Sequence, residues 1–150
     1  MMLHYIIDGN NLIGKISSLK HLPDKQLARE KLALLLEKYF HGRKVKVSLH
    51  FDGFENIPIK ISGVKIYYSQ NRSADEMIKN EIEKIKNTKS VIAVSSDTEV
   101  ASFAKVCGCR IKSSESFYKE LNTSNKKSSE GEKPTDFNTE EFKKLFGIDY

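Results

Sequence analysis

Apolar and polar positions along this chain switch repeatedly between a strand-like and a helix-like rhythm. Leu3 to Ile7 is a short apolar run that breaks into Asp8-Gly9-Asn10-Asn11, the pattern of a buried strand opening into a polar loop. Asp24, just after Pro23, is placed to N-cap a helix in which Ala28, Leu32, Leu35 and Tyr39 recur at helical spacing up to His41-Gly42. Val45, Val47, Leu49 and Phe51 predict a second strand that stops at Asp52-Gly53, and Val64 to Tyr68 predict a third. A helix should start at Ser73 and bury Ala74, Met77, Ile78, Ile82 and Ile85. Residues 91–94 form a fourth apolar run, ended by Ser95-Ser96-Asp97 and followed by a helix carrying Val100, Ala101 and Ala104. Residues 109–112 predict a short fifth strand, and 114–121 a further helix.

Strands that alternate with helices require crossover connections, which parallel neighbours need and helices supply. The expected class is therefore α/β, a doubly wound, mainly parallel sheet with helices on both faces. Residues 1–121 make up this domain. Residues 122–136, rich in Ser, Thr, Asn, Lys, Gly and Glu without apolar periodicity, read as a flexible linker. In residues 137–150, Asn138 with Glu141 resembles a capping box, Phe137 and Phe142 a hydrophobic staple, and Gly147 a stop, so a short C-terminal helix is expected there.

Composition narrows the class without naming the activity. A chain of 150 residues with 39% hydrophobic and 30% charged positions suits one globular domain. No apolar run approaches the roughly 20 residues of a membrane helix, and the N-terminus reaches Asp8 without a basic leader, so a cytoplasmic protein is expected. Cys107 and Cys109 are too close for an unstrained disulfide and have no further ligands at zinc-like spacing, which leaves them as two small structural residues. Residues 1–72 hold twelve Lys and Arg against six Asp and Glu, whereas residues 73–150 hold thirteen against fourteen. The basic half suits a polyanion such as RNA, and equally a solvated lysine-rich surface.

Candidate chemistry comes from where the acids fall. Asp8 ends the first strand, Asp52 the second and Asp97 the fourth, and Asp75 lies in the first turn of the helix after the third. In an open parallel sheet these positions share the carboxyl edge, where ligands bind at the topological switch point. Carboxylates gathered there repel one another unless a cation sits among them, and hard oxygen donors suit Mg²⁺ or Mn²⁺. Such a centre, with Asp8, Asp75 and Asp97 as metal ligands, would hydrolyse a phosphodiester. Each acid also has an ordinary use: Asp8 and Asp52 precede glycines as turn residues do, and Asp75 complements a helix dipole. Ser73-x-x-Glu76 and Ser96-x-x-Glu99 read as capping boxes, which assigns Glu76 and Glu99 to capping and leaves Asp97 as a first-turn acid.

Several polar residues are secondary candidates. Asn11 would orient a carboxylate or a bound water, or simply occupy a turn. Ser96 would hydrogen-bond a scissile phosphate as well as cap its helix. Lys15 and Arg72 fall on loops near the acidic edge, where pairing with RNA phosphates is useful. Tyr68 suits base stacking but fits a core role better. The histidines show no ligand spacing, and His50 is expected to pack in or beside its strand.

Taken in order, Ile6-Ile7-Asp8-Gly9-Asn10-Asn11, His50-Phe51-Asp52-Gly53, Ser73-Ala74-Asp75 and Val94-Ser95-Ser96-Asp97 resemble the YacP-like branch of the NYN family over residues 3–121. The resemblance implies a PIN-like fold with an acidic Mg²⁺ or Mn²⁺ pocket and endoribonuclease activity, in some members on messenger RNA at the ribosome. By position it carries the family's strand-one aspartate to Asp8, its loop asparagine to Asn11, and its further acids to Asp52, Asp75 and Asp97. The connection between Asp52 and Asp75 is shorter than in larger relatives, which bears on substrate choice. Two other readings compete: a non-catalytic RNA-binding module with a PIN-like fold, and a receiver-like phosphotransfer domain. Asn10 stands where a D-x-D phosphatase needs its second acid, and no P-loop is present.

Overall fold

A computed structural model describes residues 2–130. Its sheet has five strands: β1 (Leu3–Asp8), β2 (Val45–Phe51), β3 (Lys65–Tyr68), β4 (Val91–Val94) and β5 (Arg110–Lys112). All neighbours pair in parallel, in the order β3-β2-β1-β4-β5. The chain winds outward from β1 through β2 to β3, then returns to the other side of β1 for β4 and β5. The direction reverses between β1 and β4, and a doubly wound sheet opens a crevice at the carboxyl ends of the strands there.

Two apolar layers clamp the sheet. The helices α3 (Lys25–Phe40) and α6 (Ser114–Glu130) cover one face, where Leu32, Leu36, Phe40, Phe117 and Leu121 pack on Tyr5, Ile7, Leu49 and Phe51. The helices α4 (Ala74–Lys84) and α5 (Thr98–Val106) cover the other, where Ile78, Ile82, Val100 and Ala104 pack on Ile6, Val91 and Ala93. Each fully buried Leu, Ile or Phe contributes about 1.5–3 kcal/mol, so these layers set the register of every strand. Asp24 caps α3 by accepting from the Gln26 amide at 2.9 Å, and Ser73 caps α4 by accepting from the Glu76 amide at 3.1 Å, both as the sequence predicts. Cys107 and Cys109 are free thiols, and burial pushes Cys109 up to about 11.

Two local expectations change. The stretch after Asp8, read as a loop, is a short helix α1 (Gly9–Gly14), followed by α2 (Ser17–Lys20); neither is long enough to show a hydrophobic period. Gly9 is required at the start of α1, because a Cβ there would lie 2.7 Å from the His50 carbonyl and from the Phe51 ring. The helix read as 114–121 runs on to Glu130, so residues 122–130 of the expected linker are helical; neither Gly nor Pro intervenes before Gly131. The remainder of that segment and the expected helix over 137–150 lie outside the described residues. No helix among those residues is long and apolar enough to cross a membrane.

The histidines hold a surprise on the α4 face. His4 and His50 converge on Glu81 of α4, with Nε2 to carboxylate distances of 3.3 and 2.7 Å, and Ser48 donates to Glu81 Oε2 at 2.8 Å. Burial pushes the Glu81 carboxyl up, but the hydrogen bonds from His4, His50 and Ser48 outweigh it and hold the group far below its ordinary 4.5. A depressed carboxylate stabilises the fold above the unfolded value and loses that contribution as pH falls below it. Glu81→Gln should therefore cost about 1–3 kcal/mol at neutral pH, the penalty for stranding a buried partner. Denaturant titrations across pH check this: the gap between variant and wild type should narrow as pH falls below 4.5. A gap that ignores pH would show that the ionic form of Glu81 is irrelevant.

Candidate functional site

Four acids reach the carboxyl edge of the sheet, each by a different local route. Asp8, the last residue of β1, is buried and N-caps α1, with Oδ1 accepting from the Asn11 amide at 3.4 Å. Asp97 N-caps α5 through Oδ1, which accepts from the Glu99 amide at 2.8 Å and the Val100 amide at 3.4 Å. The cap is thus Asp97 and not Ser96 as the capping-box pattern implies, because the Ser96 hydroxyl is engaged elsewhere. Asp52 follows β2 and reaches across to α4, where its Oδ1 accepts from the Ala74 amide at 2.7 Å. Asp75 sits in the first turn of α4, with Oδ2 3.7 Å from Lys79 Nζ.

Hydrogen bonds knit this edge together. Ser95, buried at the end of β4, donates to Asp8 Oδ2 at 2.9 Å and accepts from the Asp97 amide at 3.0 Å. It couples two of the acids directly, and sequence reasoning passed over it because a serine beside a strand end carries no distinctive pattern. Asn11 Oδ1 accepts from the Ser96 amide at 2.9 Å and the Ser114 hydroxyl at 2.7 Å, tying α1, the β4 end and α6 to one point. Ser96 donates its hydroxyl to Glu115 and accepts from the Ser114 amide at 3.0 Å. Glu115 in turn pairs with Lys15 at 3.6 Å, so this lysine stands near the edge but faces an acid as well as solvent. Glu115 is a further acid beside the edge that the spacing of strand ends did not reveal. Arg72 is exposed in the turn ahead of α4, where its carbonyl accepts from Ser69 Oγ at 2.8 Å. Tyr68 packs against Phe51 and its phenol oxygen is buried, which fits the core role.

The electrostatics record how close the acids are. Burial pushes the Asp8 carboxyl up from 3.8; the Ser95 and Asn11 hydrogen bonds pull it down, and the charges of Asp52 and Asp97 push it up again. Burial likewise raises Asp75, against Lys79 and with help from Asp97 and Glu99. The charge of Asp97 therefore bears on both Asp8 and Asp75, and that of Asp52 on Asp8, which links the four acids. They do not form a ready cage: among the described residues, no three His, Cys, Asp or Glu side chains stand close enough to hold a metal ion. Three of the four spend a carboxylate oxygen capping a helix instead. The donor chemistry still fits a hard dication, since every candidate ligand is a carboxylate oxygen and Asp75 Oδ1 is buried without a hydrogen-bond partner.

The fold and the edge together define a class: an open, doubly wound parallel α/β domain with acids gathered at its switch point. The family model for the YacP-like NYN domain matches residues 5–145, and the chain belongs to that family. Among solved structures, it is similar to Rae1 (YacP) from Bacillus subtilis: the W164L mutant at 25% identity and TM-score 0.70, over 81% of this chain and 76% of that one. A second structure of Rae1 from Bacillus subtilis matches at 24% identity and TM-score 0.69, over 82% and 75%. A comparison with curated proteins finds no match.

Raised carboxylates give the edge a measurable signature. A folded-state value above 3.8 means that the ionised form is disfavoured by the fold at neutral pH and that the penalty lifts as pH falls. Asp75→Asn removes a charge held in that unfavourable place, and in metal-free buffer it should raise Tm slightly. Adding Mn²⁺ should raise the Tm of the wild type and leave that of the variant nearly still. Equal response of both proteins to Mn²⁺ would separate Asp75 from any cation site.

Proposed function

We propose that this protein is a divalent-metal-dependent endoribonuclease that hydrolyses RNA phosphodiester bonds at the carboxyl edge between β1 and β4. The observation that carries the reading is the shared field of Asp8, Asp75 and Asp97 at the switch point of a YacP-like NYN domain, with two of the three raised by burial. Mg²⁺ or Mn²⁺, when bound by these three carboxylates, would supply charge neutralisation for the phosphodiester and a water acidified enough to attack it. Asp8 is the anchor: Ser95 and the Asn11 amide fix both its oxygens, so its position is preset. Asp97 is fixed by the first turn of α5 and reports to Asp8 through Ser95. Asp52 holds the start of α4, and with it Asp75, against the end of β2. Asn11 and Ser96 are positioning residues that lock α1 and α6 around the edge. Lys15 and Arg72 supply positive charge for the phosphates flanking the cleaved bond. Single-stranded RNA, including messenger RNA on the ribosome, is the substrate class in this reading, in the cytoplasm.

One observation favours a second reading. The absence of a preassembled triad among the described residues and the use of Asp8, Asp52 and Asp97 as helix caps suit a non-catalytic RNA-binding module on the same fold. The two diverge on turnover. A fluorescently labelled single-stranded RNA should be cleaved with Mn²⁺ or Mg²⁺, cleavage should stop on chelation, and Asp8→Asn or Asp97→Asn should lower kcat by about 100-fold or more. RNA binding without metal-dependent cleavage would decide for the binding module, and full activity in both variants would remove the proposed centre.

A further inference from the structure

We propose that Phe54 is a base-stacking platform that holds a nucleotide of single-stranded RNA beside the acidic edge, an inference that rests on the ribonuclease reading. Phe54 is 58% exposed, and no other phenylalanine or tyrosine among the described residues is exposed. It lies two residues beyond Asp52, at the end of a segment whose backbone is held at nearly every polar group. The Asp52 amide donates to Asn10 Oδ1 at 2.8 Å and the Gly53 amide to Ser69 Oγ at 3.0 Å, while the Gly53 carbonyl accepts from the Gln70 amide at 2.8 Å. Gly53 adopts φ +88°, which only glycine accepts without strain, and this sharp turn brings Phe54 out of the sheet.

Arg29 is the clamp. Its side chain comes from α3, is only 9% exposed, and lies 5.3 and 5.2 Å from the ring centres of Phe51 and Tyr68. One guanidinium nitrogen donates to the Asp52 carbonyl at 2.6 Å and another to the Phe54 carbonyl at 3.0 Å. Burying a guanidinium to fix the carbonyls on either side of Gly53 is costly for a loop with no task. A large apolar ring kept in water on a rigid support has lost little freedom still to be lost on binding, which is what a stacking surface requires. Every base has a π-face, so the contact tolerates sequence and suits single strands, whose bases are unstacked and accessible.

The chain contains no tryptophan, so Phe54→Trp creates a single fluorescent reporter at this position. Binding of a labelled single-stranded RNA is followed by anisotropy with Mg²⁺ present, in an Asp8→Asn background that prevents cleavage. Phe54→Ala should weaken binding about 5- to 150-fold, the range of one base-stacking contact. Phe54→Trp should bind like the wild-type ring and show quenched emission as RNA is added. In the cleaving protein, Phe54→Ala should raise KM more than it lowers kcat. Ile57→Ala is the control: Ile57 is as exposed and lies on the same connection, and its loss should leave affinity unchanged. RNA binding with unaltered affinity in Phe54→Ala, silent tryptophan emission, or an equal loss in Ile57→Ala would each overturn stacking and leave the ribonuclease reading standing. No binding and no cleavage by the wild type would remove both together.

Discussion

A carboxylate buried at the end of a central strand is the constraint around which this molecule is arranged. Asp8 carries its charge where burial and the neighbouring charges of Asp52 and Asp97 both disfavour it. Left alone, such a group would protonate or draw water into the sheet edge. Here Ser95 and the first amides of α1 supply the compensating donors, and the same serine fixes Asp97. Satisfying this one charge thus ties β1, α1, β4 and α5 together at the edge.

The two faces of the sheet treat charge in different ways. On the α4 face, Glu81 receives His4, His50 and Ser48 and has its ionised form strongly favoured, which makes it a structural group. At the carboxyl edge, burial disfavours the same form of Asp8 and Asp75, where the proposed centre lies. His50, which binds Glu81, stands in register with Asp8, so the stabilised anion on α4 and the destabilised one at the end of β1 meet the two sides of a single rung of the β1–β2 ladder.

The connection from Asp52 to β3 shows how a short excursion can still be purposeful. Arg29 spends its guanidinium on two carbonyls and two rings, and so transmits the rigidity of α3 to the residues next to the acidic edge. The orientation of the loop is therefore set by the hydrophobic layer beneath it rather than by the loop's own residues. Asn10, one position from the Gly that lets α1 approach β2, holds the same segment from the other side.

Periodicity made the five strands, the helices α3, α4 and α5 and the doubly wound class legible, because each element must bury an apolar face on a core and so writes that face into its spacing. The acids at strand ends were legible for a related reason: a parallel sheet sends all its carboxyl ends to one edge. What spacing could not show is whom each polar group meets. Ser96 looked like a cap and is instead held by Glu115 and Ser114; Asp97 took the cap; His4 and His50 showed no ligand spacing and share Glu81; Arg29, which no spacing singles out, holds the Asp52 and Phe54 carbonyls. Hydrogen bonds are short and directional, so residues decades apart in sequence gain a partner only when packing delivers them within about 3 Å. The chain by itself determined which residues go inside and which edge collects the charge, and the tertiary structure decided which of those charges are met by hydrogen bonds and which, like Asp75 Oδ1, are not.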